Sequence, residues 1–316
     1  MAHWTRSLVL AAADSWWMKQ LILRRGQWLV RRFVAGERID DAIAVMRRLK
    51  EEGLGTILDL LGEDVSSEQE ADAALAQILA TIDAVAAASV KPDLAVKLTQ
   101  LGLLLDEAQA HQRMEQIAVR ARQTGLFVWI DMEQSAVTEA TLRLFEALRP
   151  TYENVGIVLQ AYLYRTMNDL KRLLPLHPKV RIVKGAYLEP PEVAFPKKAD
   201  VDRNYRKLVF ACLQGGGSVA VATHDPAIIA GVLSYCREHP VASDRVEFQM
   251  LYGVRPDLQR TLAQRGYRTL VYVPFGEAWY PYFSRRLAER PANIGFVLRS
   301  LMPASSQAPH QGIKAG

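Results

Sequence analysis

The stretch VRIVKGAYLEP, residues 180–190, is a run of β-branched residues interrupted by two cations, Arg181 and Lys184, and then by a glycine. A short apolar run rich in β-branched residues is typical of a strand buried in a sheet. Seven further runs of this kind follow the same pattern, at residues 56–63, 94–102, 126–133, 155–163, 218–225, 246–253 and 269–276. The sequence therefore predicts eight strands.

Segments with helical spacing separate these strands. In residues 68–88, 107–123 and 137–148 apolar residues recur every three or four positions. Strand–helix alternation indicates parallel pairing, and eight such units close into an α/β fold, the (β/α)8 barrel of the TIM type. An open doubly wound sheet is the alternative. A dinucleotide-binding sheet of that kind carries GxGxxG after its first strand, and this motif is absent.

Composition limits the class of protein without naming a partner. Half of the 316 residues are apolar and 23% are charged, which is typical of a soluble globular protein. The net charge of +5 permits attraction to nucleic acid or to an anionic membrane. However, the 39 basic residues are mixed with 34 acidic ones, without long blocks of one sign. Cys212 and Cys236 show no redox or zinc spacing.

The chain divides by composition into three parts. Residues 1–50 read as an Arg-rich N-terminal helical arm, residues 51–302 as the barrel, and residues 303–316 as a disordered tail. The opening apolar stretch LVLAAA is shorter than a typical secretory core, so we expect a cytoplasmic protein. The Trp- and Leu-rich segment 16–33 fits either a helix at the inner face of the membrane or a helix packed on the barrel.

Polar residues late in the strands are the candidates for a site, because active sites of such barrels lie at the C-terminal ends of the strands. Burying amines, a guanidinium, a carboxylate and amides together is costly unless they pair or bind a polar ligand. The excess of cations predicts an anionic ligand. No HxH, HExxH or clustered acidic ligand set occurs, so we expect no metal. The candidates are Lys97, Asp131, Gln160, Arg181, Lys184, Thr223, His224, Gln249 and Tyr272.

Several longer motifs occur in a fixed order from about residue 58 to residue 301. They are VKLTQLG (96–102), RIVKGAY (181–187), ATHDP (222–226), EFQMLYGVR (247–255), and YVPFG (272–276) followed by RRLAE (285–289). This set resembles the proline dehydrogenase family in its short monofunctional bacterial form. The resemblance implies a distorted (β/α)8 barrel that binds FAD non-covalently at the strand C-termini. It also implies oxidation of L-proline to Δ1-pyrroline-5-carboxylate, the first step of proline catabolism, with electrons passed to a membrane quinone.

The resemblance also implies roles for individual residues. Arg285 and Arg286 would bind the proline carboxylate together with Lys97, since a guanidinium fork suits a carboxylate. Asp131 would act in the active site beside Lys97, with no general base assigned. Arg181 would stabilise negative charge on the reduced flavin. The proline ring would be enclosed by Tyr187, Tyr272 and Leu251. The flavin cofactor would contact Met132, Gln160, Arg181, Val183, Lys184, Gly185, Ala186, Lys198, Thr223, His224 and Gln249.

The expected reaction is hydride transfer from proline C5 to flavin N5, and the expected onward partner is a pyrroline-5-carboxylate dehydrogenase. Two other classes of function stay open on the residues alone. One is a Schiff-base barrel enzyme that uses Lys97 or Lys184 on a carbonyl substrate. The other is a basic, non-enzymatic binding protein. The even mixing of charges argues against the latter, so we expect no nucleic-acid partner.

Overall fold

The computed structural model describes residues 30–62 and 64–289, with the side chains of residues 285–289 excepted. Residues 33–279 form one compact unit, and residues 280–289 belong to a second unit. The eight strands are β1 (Gly55–Leu60), β2 (Asp93–Val96), β3 (Val128–Ile130), β4 (Val155–Gln160), β5 (Lys179–Val183), β6 (Ser218–Ala222), β7 (Val246–Leu251) and β8 (Thr269–Phe275).

Helix α1 (Ile39–Glu51) precedes β1, and one helix follows each strand. These helices are α2 (Glu68–Ala87), α3 (Glu107–Thr124), α4 (Thr138–Leu148), α5 (Thr166–Leu173), α6 (Lys198–Gln214), α7 (Pro226–Glu238), α8 (Pro256–Gln264) and α9 (Trp279–Glu289). Side chains cap the N-termini of some of these helices. The Ser67 hydroxyl accepts a hydrogen bond from the Glu70 N–H, and the Asp106 carboxylate accepts from the N–H groups of Ala108 and Gln109.

The strands form a closed barrel in sequence order, and every pairing is parallel. The barrel closes where β1 pairs with β8, in a register that runs from Gly55 opposite Leu270 to Leu60 opposite Phe275. The predicted α/β barrel is therefore confirmed, and the open sheet is excluded. The predicted run at 180–187 is too long as a strand. It ends at Val183, because the backbone leaves the extended conformation at Gly185, where φ is +118°.

Alternate residues of the strands face two different cores. A small inner cluster fills the barrel with Ile57, Ala95, Trp129, Ala220 and Leu270. The residues between them belong to a much larger apolar core shared with the surrounding helices. Because the side chains of a strand alternate with a period of two, polar residues in step with the inner cluster also point into the barrel.

A buried ionic group, which we call the lower layer, lies at the N-terminal ends of the strands. Lys179 Nζ and Arg268 Nε each lie 2.9 Å from Glu247 Oε2, and Trp129 Nε1 donates to Asp93 Oδ2 at 2.9 Å. Burial, reinforced by the nearby Glu247 carboxylate, raises the pKa of Asp93. The lower layer closes the end of the barrel opposite to the candidate site.

No helix within the described ranges is both long and apolar enough to cross a membrane. Residues 16–29 of the segment proposed for a membrane interface lie outside those ranges, as does the tail at 303–316. The division into an arm, a barrel and a tail therefore stays a prediction.

Candidate active site

A cluster of buried charges, which we call the upper cluster, lies at the C-terminal ends of the strands. Lys97 and Asp131 each follow the last residue of their strand, β2 and β3. Asp131 is the common acceptor: Oδ1 lies 2.8 Å from Arg181 Nη1, and Oδ2 lies 2.9 Å from the Tyr272 hydroxyl and 3.4 Å from Lys97 Nζ. Lys97 makes a shorter contact, of 3.0 Å, with Asp59 Oδ1 of β1. Four residues selected from the sequence thus meet in one network.

Burial raises the pKa of two of these groups. Burial, followed by the carboxylates of Asp131 and Asp59, raises the pKa of Tyr272 far above its usual value. The hydroxyl therefore keeps its proton and donates a hydrogen bond to Asp131. Burial also raises the pKa of Asp59, and the Asp131 carboxylate acts in the same direction, although Lys97 opposes both.

Arg181 is the middle residue of β5, whereas the sequence predicted it near the end of the strand. The centre of its guanidinium lies 4.8 Å from the Trp129 ring and 5.4 Å from the Tyr272 ring. Only Nη1 is used for Asp131. Among the described residues, Nε and Nη2 have no hydrogen-bond partner, although the side chain is 4% exposed. Two buried donor nitrogens, with three N–H groups between them, thus remain for a ligand.

A second charged group, which we call the lysine–aspartate pairs, joins the ends of β5 and β6. Lys184 Nζ lies 2.6 Å from Asp202 Oδ1 and 2.9 Å from Asp225 Oδ2. Lys198, at the start of α6, contacts the same two carboxylates, Asp225 at 3.2 Å. Two cations are thus held side by side by two carboxylates. Such a pair of ammonium groups suits a phosphate-bearing ligand.

Asp225 also begins helix α7, where its Oδ1 accepts from the Ala227 N–H at 3.1 Å. Although burial opposes ionisation, hydrogen bonds from Lys184 and Lys198 lower the pKa of Asp225. A carboxyl with a lowered pKa stabilises the fold at every pH above its unfolded pKa, and this contribution is lost as the pH falls through the folded value.

We expect Asp225→Asn to lower the free energy of unfolding near neutral pH and to differ progressively less from the parent as the sample is acidified. Asparagine keeps the helix cap but loses the charge, whereas Asp225→Ala loses both and should cost about 1 kcal/mol more. Urea unfolding of the three proteins over a series of pH values measures both effects. A difference between Asp225→Asn and the parent that does not change with pH would contradict the charge argument.

The loop after β5 carries several predicted cofactor ligands and is held against the loop after β4. The Tyr162 N–H donates to the Lys184 carbonyl at 2.9 Å, and the Phe195 N–H donates to the Tyr162 carbonyl at 2.7 Å. Gly185 is required here, because a Cβ at this position would lie 2.2 Å from the Tyr162 ring. Val183, Gly185, Ala186 and Tyr187 are each half-buried along this loop.

The remaining predicted residues occupy the same end of the barrel, with one exception. Gln160 ends β4 and donates to the Glu133 carbonyl at 2.8 Å, and Met132 is buried beside Asp131. His224 Nε2 accepts from the Leu251 N–H at 3.0 Å, and Thr223 accepts from the Asp225 N–H. Gln249 is the exception: it lies within β7, and its amide donates to Glu247 of the lower layer at 2.6 Å.

Arg285 and Arg286 lie in helix α9, and their side chains are outside the described part of the structure. The sequence patterns did not identify three acidic residues of the site, which are Asp59, Asp202 and Asp225. Asp59 stands two residues after Ile57 in an apolar strand, so the period of two could have placed it in the barrel. Asp225 precedes a proline, which is a typical sequence signal for the first residue of a helix.

The arrangement suits a large anionic ligand with hydrogen-bond acceptors. Nε and Nη2 of the buried Arg181 have no partner within the described residues, and the ammonium groups of Lys184 and Lys198 lie after β5 and at the start of α6. Over residues 30–62 and 64–289, no three His, Cys, Asp or Glu side chains are grouped as metal ligands. The donor nitrogens of Arg181 and the ammonium groups of Lys184 and Lys198 fit an organic ligand that carries hydrogen-bond acceptors and phosphate groups.

Comparisons with known proteins identify the family of the chain. The sequence profile of the family described as Proline dehydrogenase matches residues 42–299. The chain is 43% identical over 302 residues to the proline dehydrogenase of Deinococcus radiodurans, covering 94% of this chain and 97% of that protein. It is 43% identical over 272 residues to proline dehydrogenase 1 of Bacillus subtilis, covering 86% and 90%.

A solved structure shows the same fold within a longer chain. It is the crystal structure of proline utilization A from Bdellovibrio bacteriovorus inactivated by N-propargylglycine, with a TM-score of 0.79 and 27% identity. The match covers 85% of this chain but only 33% of that one, so this protein spans about a third of the length of that relative. A parallel barrel with a buried polar site at the strand C-termini is an architecture that enzymes of many different activities share. Within it, the chain belongs to the proline dehydrogenase family, and it is an oxidoreductase.

Proposed function

We propose that the chain oxidises L-proline to Δ1-pyrroline-5-carboxylate, the first step of proline catabolism, with FAD as its cofactor and a membrane quinone as the electron acceptor. Membership of the family supports the reaction. The observation that supports this reaction at particular residues is the upper cluster, in which Asp131 contacts Lys97, Arg181 and Tyr272. Asp59 and Asp131 flank Lys97 Nζ and favour its ammonium form, which argues against a Schiff-base nucleophile.

The substrate site would be built around Lys97. Its ammonium and the guanidinium groups of Arg285 and Arg286 would bind the carboxylate of proline, because opposite charges attract strongly where water is excluded. Tyr187, Tyr272 and Leu251 would enclose the ring and fix its orientation. Asp131 would hold Lys97 and Arg181 in position, so that their donors are fixed before the substrate arrives.

The cofactor would lie along the loops after β4, β5 and β6. Arg181, with two unpaired donor nitrogens, would bind an acceptor of the flavin ring, beside the backbone of Val183, Gly185 and Ala186. Lys184, Lys198, Thr223 and His224 would bind the ribityl and phosphate portion, and Gln160 and Met132 would lie at the ring. When bound, FAD supplies the acceptor for the hydride of proline C5.

The chain's own residues would then provide orientation, charge and a dry site. Arg181 and Lys97 are nearly inaccessible to water, so their positive charges act with little screening. The proline amine must be neutral when the hydride leaves, and Asp131 lies among the groups near it without being assigned as the base. Gln249 is bonded to the lower layer in β7, so any contribution to cofactor binding would be indirect.

The onward steps belong to the same proposal. The quinone would be reached by a peripheral contact of this cytoplasmic protein with the inner face of the membrane, and the product would pass to a pyrroline-5-carboxylate dehydrogenase. The arm at 1–50 and the barrel at 51–302 are proposed as separate parts, with segment 16–33 as the membrane contact.

The test is an absorbance spectrum of the purified protein in the flavin region, repeated without oxygen after addition of L-proline. The proposal expects a yellow protein whose flavin absorbance is bleached by L-proline but not by D-proline. If L-proline does not bleach the flavin, the cofactor assignment stands and the substrate assignment fails. A colourless protein that fails to bind added FAD would overturn the cofactor assignment.

Arg285→Met should weaken proline binding by about 1.5–3 kcal/mol, on the scale of one lost hydrogen bond to a charged group, and should leave the flavin bound. The measurement is the proline concentration that half-saturates flavin reduction. Arg237→Met, at an exposed arginine near the end of α7, is the control and should leave this value unchanged. Loss of flavin from Arg285→Met would mean that Arg285 belongs to the cofactor site instead.

A further inference from the structure

Asp59 is the one member of the upper cluster that has no role in the proposed reaction. It lies on β1, two residues beyond Ile57 of the inner cluster, and it is 1% exposed. Its Oδ1 makes the closer of the two carboxylate contacts of Lys97 Nζ, 3.0 Å against 3.4 Å for Asp131. Lys97 is therefore held at least as firmly by Asp59 as by the aspartate that the motifs indicate.

The second oxygen of Asp59 is unusual. Oδ2 is buried and makes no hydrogen bond within the described residues. A buried carboxylate oxygen without a partner is costly in the ionised state, whereas a protonated carboxyl needs fewer partners. The geometry thus favours proton uptake at Asp59. Both oxygens of Asp131, by contrast, accept hydrogen bonds from Arg181, Tyr272 and Lys97.

The charged and titratable groups around Asp59 come from three neighbouring strands. Lys97 faces it from the end of β2, Asp131 from the end of β3 and the Tyr272 hydroxyl from β8, while Arg181 of β5 faces Asp131. Burial raises the pKa of Asp59, and the Asp131 carboxylate adds to this, whereas Lys97 and a hydrogen bond from Tyr272 lower it, and the net shift is upward. With Asp59 ionised, two carboxylates balance the two cations. With Asp59 protonated, the cluster carries one net positive charge.

We infer that Asp59 is a positioning residue that holds the Lys97 ammonium, and that its protonation sets how strongly Lys97 attracts the carboxylate of a ligand. This inference rests on the proposed function, which places the proline carboxylate at Lys97. An ionised Asp59 competes with that carboxylate for the same ammonium, whereas a protonated Asp59 leaves the ammonium to the ligand. By linkage, binding of the ligand carboxylate promotes protonation of Asp59.

The probe for this linkage is cyclopentanecarboxylate, which has the ring and the carboxylate of proline but no amine that titrates. Its affinity for the flavin-loaded protein is measured by calorimetry at a series of pH values over which the probe stays ionised and the protein stays folded. We expect the affinity of the parent protein to fall by about tenfold as the pH rises through the ionisation of Asp59. In Asp59→Asn the affinity should stay within about twofold of the low-pH value across the range.

The matched control is Asp93→Asn in the lower layer. Asp93 is another buried aspartate of the barrel whose pKa burial raises, and it lies at the opposite end. This variant should keep the pH dependence of the parent. If Asp59→Asn retains the full tenfold change, another group titrates, and the inference is overturned.

A second measurement uses only the parent protein, in case Asp59→Asn does not fold. At each pH of this series the binding enthalpy of the probe is compared in two buffers with different ionisation enthalpies, which reports protons taken up on binding. Proton uptake supports the inference, and its absence overturns it. Bleaching of the same samples by L-proline separates the two proposals. If bleaching occurs without proton uptake, only the role of Asp59 fails. If L-proline does not bleach the flavin, the proposed function fails, and the inference fails with it.

Discussion

Asp131→Ala is expected to lower the free energy of unfolding by about 3–5 kcal/mol and to slow proline-dependent flavin reduction by at least about 100-fold. The substitution removes the shared acceptor of Arg181, Lys97 and Tyr272 at once. It leaves the guanidinium of Arg181 buried without a carboxylate, which is the costly way to break an ion pair. Arg181 and Lys97 would also lose the orientation on which binding of flavin and substrate is proposed to depend.

Urea unfolding and stopped-flow reduction without oxygen measure the two parts of this prediction. The control is Asp83→Ala, which breaks a contact of similar length, 2.6 Å from Arg120, on the exposed surface. Because an exposed pair is solvated on both sides, its loss should be a small fraction of the effect at Asp131. Equal losses of stability at the two sites would show that burial does not increase the contribution of the upper cluster to the free energy of unfolding.

Gly185→Ala is expected to destabilise the barrel by about 2–5 kcal/mol and to release the flavin. Two effects add: the backbone at φ +118° is one that L-residues rarely adopt, and the new Cβ would overlap the ring of Tyr162. The loop after β5 must then move, and with it the backbone proposed to contact the cofactor. Flavin retention through gel filtration and thermal unfolding measure the result.

Gly125→Ala is the matched control, since Gly125 also has a positive φ, +72°, but a Cβ there meets nothing within 4 Å. It should lose only the conformational part, about 1–2 kcal/mol, and bind flavin normally. Adding Tyr162→Ala to Gly185→Ala should recover part of the stability by removing the overlap. A double variant no more stable than the single one would rule out the overlap as the cause.

The fold was predictable because the pattern is repeated eight times. The strands are mostly apolar and buried on both faces, as β4 illustrates, and such strands suit a sheet covered by helices. The strand ends were less predictable, because residues such as Lys184 and Gly185 extend an apolar run in sequence but leave the ladder in the structure.

The cations of the site were predictable and most of its carboxylates were not. Lys97, Arg181 and Lys184 stand out in apolar runs, and the motifs of the family add the arginines of α9. Asp59, Asp202 and Asp225 come from three different elements, and only the closed barrel brings them to these cations. A sequence pattern shows which residues face inward, but the partner across the barrel depends on the register between strands.

The pairing of β1 with β8 has a consequence for how this protein is made. Residue 55 cannot meet residue 270 until more than 200 further residues have left the ribosome, which takes about 10–40 s at usual rates of synthesis. Throughout that time β1 presents an unpaired edge of backbone N–H and C=O groups, to which other nascent chains can pair. Slow translation or truncation before residue 269 should therefore direct the product into inclusion bodies, and co-expressed chaperones that shield strand edges should raise the yield of folded protein.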